Sequence, residues 1–127
     1  MPKFGLGVSK AHINGKLTIY ARVPSDLYAL VRVDMARSGL SVKQQSDWFC
    51  QAVVFLHGLA VGDNEGFIAG YKMLSGGTGK ARQIYLSEPA ASNFLEMEKM
   101  LLDVLGAEAK VRTRLLMLAA SSYLLSQ

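Results

Sequence analysis

The sequence predicts an α+β fold, mostly helical, in which two strand–helix–helix repeats share a two-stranded antiparallel ribbon packed on four helices. Three observations predict it. Ile19-Tyr20 with Pro24 recurs as Ile84-Tyr85 with Pro89, an offset of 65. Gly39, Ser46 and Ala52 recur as Gly106, Thr113 and Ala119, an offset of 67. Each half reads as one short strand followed by two helices, and a lone strand leaves its backbone donors and acceptors unpaired. Each half therefore needs a partner strand, which the chain can supply itself.

In the first half, residues 16–23 alternate: Leu17, Ile19, Ala21 and Val23 fall on one face, Lys16, Thr18, Tyr20 and Arg22 on the other. Pro24 ends the strand because it lacks the ladder N–H. Ser25 or Asp26 then caps a helix whose apolar positions are Leu27, Leu30, Val31 and Met35, closed at Ser38-Gly39 by a left-handed residue. After a polar turn from Ser41 to Gln45, Ser46 caps a second helix that buries Trp48 or Phe49, Ala52, Val53 and Leu56 and ends at His57-Gly58. A rival local reading makes Asn14-Gly15 a hairpin turn that pairs residues 8–13 with 16–21.

The second half begins with a shorter strand, Arg82 to Leu86, with Ile84 and Leu86 inward and Gln83, Tyr85 and Ser87 outward. Ser92 or Asn93 caps the next helix, striped by Phe94, Met97, Leu101, Leu102 and Leu105 and stopped by Gly106. Thr113 caps the last helix, which is apolar nearly all round. Its cover is either the other repeat or a second chain. The repeat has decayed: Arg22 corresponds to Ser87 and Val23 to Glu88, so the halves need not do the same job.

These elements divide the chain into an N-terminal arm (1–15), a first motif (16–59), a linker (60–79) and a second motif (80–127) around one core. Half of the 127 residues are hydrophobic and 19% are charged, which excludes a disordered chain and supplies a core. The net charge of +4 divides evenly between the halves and permits an anionic partner. The single Cys50 precludes an intrachain disulfide and fits a reducing cytoplasm. No leader or membrane span is evident, Leu115 to Ala120 being too short to cross a bilayer.

Arg22-Val23-Pro24, Leu27, Leu30-Val31-Arg32, Ala36, Gly39, Ser41-Val42, Ser46-Asp47 and Ala52 resemble the ribbon-helix-helix family, the Arc and MetJ class of repressors. The likeness covers about residues 16–59 and, more weakly, 80–125. It implies that paired strands present side chains to base edges in the major groove: Thr18, Tyr20 and Arg22, with Gln83 and Tyr85. It also implies phosphate contacts at the starts of the second helices, Ser46 and Thr113, with Lys16, Lys43, Lys110, Arg112 and Arg114 alongside. Two motifs in one chain look like the tandem form found in accessory proteins of conjugative plasmid (relaxosome) and T-DNA transfer. The expected partner is double-stranded DNA, with other transfer or regulatory proteins beside it, and the chain would act as a pseudo-dimeric monomer or a homo-oligomer.

No enzyme, metal or cofactor is expected. Ser75 to Lys80 imitates a phosphate-binding loop but lacks its first glycine and its hydroxyl after the lysine, and reads as linker. His12 and His57 are isolated, and the carboxylates form no catalytic pair. The alternative function is a protein-binding, antitoxin-like module that uses the repeat as a helical interface.

Overall fold

The computed structural model of the chain describes residues 12–13, 15–74 and 78–127. Most of the expected N-terminal arm, and residues 75–77 of the expected linker and phosphate-loop imitation, lie outside them.

Strand β1 (His12–Ile13) precedes β2 (Lys16–Val23), the long strand of the sheet. Its alternation is realised: Leu17, Ile19, Ala21 and Val23 are buried, while Lys16, Tyr20 and Arg22 are exposed. After the helices of the first half, β3 (Lys80–Leu86) returns antiparallel to β2, from Leu17↔Leu86 to Val23↔Lys80. The two strands thus pair within one chain. Ile19 sits opposite Ile84, its own counterpart across the 65-residue offset, while Thr18 faces Tyr85 and Tyr20 faces Gln83. A local two-fold axis therefore passes through the Ile19–Ile84 pair. β1 adds a short third strand, with His12↔Leu17 and Ile13↔Lys16 and a left-handed Gly15 (φ 72°) in the turn. For these two residues the hairpin reading holds, and the remainder of that pairing falls outside the described residues.

Helix α1 (Ser25–Arg37) follows Pro24, which itself occupies the cap position, its fixed φ suited to a helix start. The buried face is Tyr28, Val31, Asp34 and Met35. The expected stripe is displaced, since Leu30 is 58% exposed. A polar contact accounts for the rotation: the Asp34 carboxylate, itself buried, accepts a hydrogen bond from the Trp48 indole at 2.8 Å. A buried carboxylate without a donor would cost more than a leucine left in water.

The remaining helices start earlier, and one runs longer, than expected. A 3-10 turn (Val42–Gln44), opened by a capping box in which Gln44 Oε1 accepts from the Ser41 N–H at 2.9 Å, leads directly into α2 (Gln45–Gly62). Helix α2 thus begins ahead of Ser46, which does not cap it. Helix α2 runs through Gly58, at a propensity cost of about 1 kcal/mol, because its buried face continues to Ala60. Asp63 then caps α3 (Asn64–Lys72), accepting from the Gly66 N–H at 3.0 Å, and α3 buries Phe67 and Tyr71 against α2. Much of the expected linker is therefore helix. Helix α4 (Ala90–Leu105) begins before Ser92, whose N–H and hydroxyl both donate to the Glu88 carboxylate, at 2.9 and 2.7 Å. Glu88 thus serves the helix start that Ser92 or Asn93 was expected to make. Gly106 (φ 76°) ends α4. Helix α5 (Val111–Leu125) starts at Val111 behind a left-handed Lys110 (φ 58°), two residues ahead of Thr113.

Helices α2 and α5 pack against each other, and Ala52 and Ala119, equivalent in the repeat, are both fully buried. The apolar circumference of α5 is covered by α2, β2, α1, α3 and α4 of the same chain. Of the two covers considered for it, the other repeat provides one.

Because Ile84 is buried at the centre of the ribbon, Ile84→Ala should lower unfolding free energy by about 2–5 kcal/mol in urea denaturation, as other buried Ile truncations do.

Candidate nucleic-acid interface

The helices cover one face of the ribbon. The other presents Lys16, Thr18, Tyr20 and Arg22 from β2, and Ala81, Gln83 and Tyr85 from β3, with Ser87 just beyond. No carboxylate stands among these positions. The five sequence-predicted base-contacting residues, Thr18, Tyr20, Arg22, Gln83 and Tyr85, therefore share a single face. Tyr20 is 71% exposed and Tyr85 52%, and they lie diagonally rather than opposite each other. Two contacts order this face. Gln83 Nε2 donates to the Tyr20 hydroxyl at 3.0 Å, and Arg22 Nη1 donates to the Gly79 carbonyl at 3.0 Å. Only glycine fits at 79: its φ is 95°, and a side chain there would strike the Val23 carbonyl.

At each end of the ribbon a helix start closes a shallow depression. One, of about 280 Å³, is lined by Tyr20, Ala21, Arg22, Ala81, Lys110 and Thr113. The other, of about 250 Å³, is lined by Tyr85, Leu86, Ser87, Lys16, Ser46 and Asp47. Applying the repeat offsets to the first set gives Tyr85, Leu86, Ser87, Lys16, Lys43 and Ser46, so five of the six positions recur. The two depressions are mates across the Ile19–Ile84 axis. They bring Ser46 and Thr113, both expected near phosphate, up to the ribbon. The Ser46 hydroxyl is engaged there, accepting the Tyr85 backbone N–H at 2.9 Å on the free edge of β3. Because α2 begins at Gln45, directly behind the 3-10 turn, Ser46 is released to cap a strand edge instead.

The seven expected phosphate contacts separate physically. Lys16, Lys43 and Lys110 are exposed and form no ion pair among the described residues. Arg112 is held by Glu98 through two hydrogen bonds, at 2.7 and 3.2 Å. Arg114 donates to Glu108 at 3.0 Å and to the Leu74 carbonyl at 3.1 Å, and lies 4.2 Å over the Tyr71 ring. Both arginines tie α5 to neighbouring elements. Burial pushes the Tyr71 phenol above its ordinary value, with the Arg114 charge acting the other way, and its hydroxyl makes no hydrogen bond among the described residues.

One residue was missed in the sequence. Arg82 occupies an inward position of β3 and stacks 3.4 Å over the Tyr28 ring, whose hydroxyl donates to Gln45 at 2.6 Å. The signal was an arginine in register with buried Ile84 and Leu86. Among the described residues no cluster suited to a metal ion occurs, and no helix is long and apolar enough to cross a membrane. His57 pairs with Glu96, and Cys50 packs with its thiol 3.7 Å from the Tyr85 carbonyl.

Arg114→Ala should lower stability by about 1–3 kcal/mol, since it strips charged hydrogen bonds from a half-buried site, whereas Lys110→Ala should change it by less than about 0.5 kcal/mol. Thermal unfolding of both variants checks this contrast. The raised Tyr71 phenol stabilises the fold fully below its unfolded pKa near 10; that contribution is lost as pH rises from 10 through the folded value. Tyr71→Phe should therefore lose less stability than the parent between pH 9 and 11 in paired denaturant titrations.

Comparison with known proteins finds no family model, no curated protein and no solved structure that matches this chain.

Proposed function

We propose that the chain is a sequence-specific, double-stranded-DNA-binding protein that lays the β2–β3 ribbon in the major groove, its halves acting as tandem ribbon-helix-helix motifs. The observation that carries this reading is the solvent face of the ribbon. It is free of carboxylates, it offers Arg22, Gln83, Thr18 and two tyrosines as hydrogen-bonding groups, and helix starts flank it symmetrically. Two strands about 5 Å apart fit a groove about 12 Å wide. Arg22 would supply a bidentate pair to guanine, and Gln83 would bracket adenine. Lys16, Lys43 and Lys110 would supply salt-dependent phosphate contacts, while Arg112 and Arg114 shape the site from behind. The biological setting is a plasmid-transfer accessory protein or a transcriptional repressor acting in the cytoplasm.

A protein-binding, antitoxin-like role is the second reading. The observation favouring it is a groove of about 470 Å³ between α2 and the start of α4, lined by Cys50, Val54, Phe55 and Pro89 among others and almost wholly apolar. The ribbon reading is preferred because the apolar surface of α5 is covered inside the chain and calls for no protein partner.

Arg22→Ala should weaken binding to a selected duplex by about 1–3 kcal/mol, while its stability falls by no more than about 1 kcal/mol, because only the exposed hydrogen bond to the Gly79 carbonyl is lost. Fluorescence anisotropy against selected and random duplexes measures this. Equal affinity of the variant and the parent for the selected duplex would remove the ribbon from the groove.

A further inference from the structure

We infer that one chain recognises a non-palindromic DNA element in a single fixed orientation, its β2–α5 end being the strong anchor and its β3–α2 end the weak one. This rests on the ribbon reading and goes beyond it.

A ribbon made by two identical chains has identical ends, because the two-fold axis forces each residue to appear at both. Here the axis through Ile19 and Ile84 is kept by the backbone but not by the side chains that meet solvent. At the β2–α5 end stand Arg22 and Lys110, two cations with no acid in the depression, and the Thr113 hydroxyl. At the mate end Ser87 replaces Arg22, and Asp47 lines the depression beside Lys16. The counterpart of Asp47 across the 67-residue offset is Arg114, which is held by Glu108 and does not line the first depression.

The loss extends to hydrogen bonding. The Ser46 hydroxyl already accepts from the Tyr85 N–H, whereas no such bond joins Thr113 to Tyr20 among the described residues. Beyond Ser87, the Glu88 carboxylate caps α4 where the first half has the apolar Val23. A phosphate or guanine therefore meets two cations and a donor hydroxyl at one end. At the other it meets Lys16 beside the Asp47 carboxylate and an occupied serine, with Lys43, the counterpart of Lys110, outside the depression. The same half-site cannot be optimal for both ends, and reversing the duplex would place the better half-site against the carboxylate.

The test is selection from a randomised duplex pool with the full wild-type chain, followed by anisotropy with wild type and the Ser87→Arg/Asp47→Asn double variant. Both substitutions are at exposed positions, and a thermal melt checks folding. The expected wild-type consensus lacks two-fold symmetry within the footprint of one chain. The double variant should bind an inverted repeat of the Arg22 half-site at least about tenfold more tightly than wild type does, relative to random duplex. A palindromic wild-type consensus would overturn the inference and leave DNA recognition standing, as would a gain below twofold in a folded variant. Failure to recover any preferred duplex would remove the DNA-binding reading itself, and the inference with it. Should the variant not fold, the symmetry of the wild-type consensus decides.

Discussion

A strand with no neighbour leaves all its amides and carbonyls without ladder partners, and the rest of this fold depends on how that requirement is met. β2 and β3 are separated in sequence by three helices and are joined through their whole length. Once they pair, their inward side chains need a roof. Leu17, Ile19, Ala21 and Val23, with Ile84 and Leu86, provide one continuous apolar floor for α2 and α5. The halves cannot be separate domains, because neither owns a complete sheet or a complete core.

Covering one face of a ribbon leaves the other in water, and that division makes the surface chemistry of the chain possible. The outward positions contribute little to packing, so they are free to carry tyrosine, arginine and glutamine. Helix starts reach the ribbon at both ends because α2 packs over β3 and α5 over β2, each on the strand of the other half. The same backbone symmetry thus produces two related depressions, while the independence of the two strand sequences lets their chemistry diverge. A single-chain pseudo-dimer escapes the identity that symmetry imposes on a true dimer.

Much of this was legible in the residues. Strict alternation at 16–23 gives the inward and outward faces, while the 65-residue offset marks equivalent residues without saying which of them pair; that Ile19 meets Ile84 within one chain is visible only in the structure. Helix starts were less legible, because several capping residues compete within a few positions. The 3-10 turn opened by Ser41 and Gln44 leads into α2 ahead of Ser46, and Glu88 reached forward to Ser92 from before Pro89. The face of α1 was misjudged because the buried Asp34–Trp48 bond connects residues of different helices, a tertiary contact invisible to periodicity. The paired states of Arg112 and Arg114 were hidden for the same reason, since their partners come from α4, from the turn before α5 and from the end of α3. Helix α3 was obscured by Gly66 and Gly70, which weaken its propensity, while Phe67 and Tyr71 anchor it by burial.

We propose the solvent face of the β2–β3 ribbon as the DNA-contacting surface. The most direct measurement is an NMR titration of the full chain with a selected duplex, following backbone and side-chain signals residue by residue. The largest perturbations should fall on Thr18, Tyr20, Arg22, Gln83 and Tyr85 and at the starts of α2 and α5, with Val54, Phe55 and Val104 unmoved. Perturbations concentrated on the apolar groove beside Val54 and Phe55, with the ribbon silent, would contradict the account.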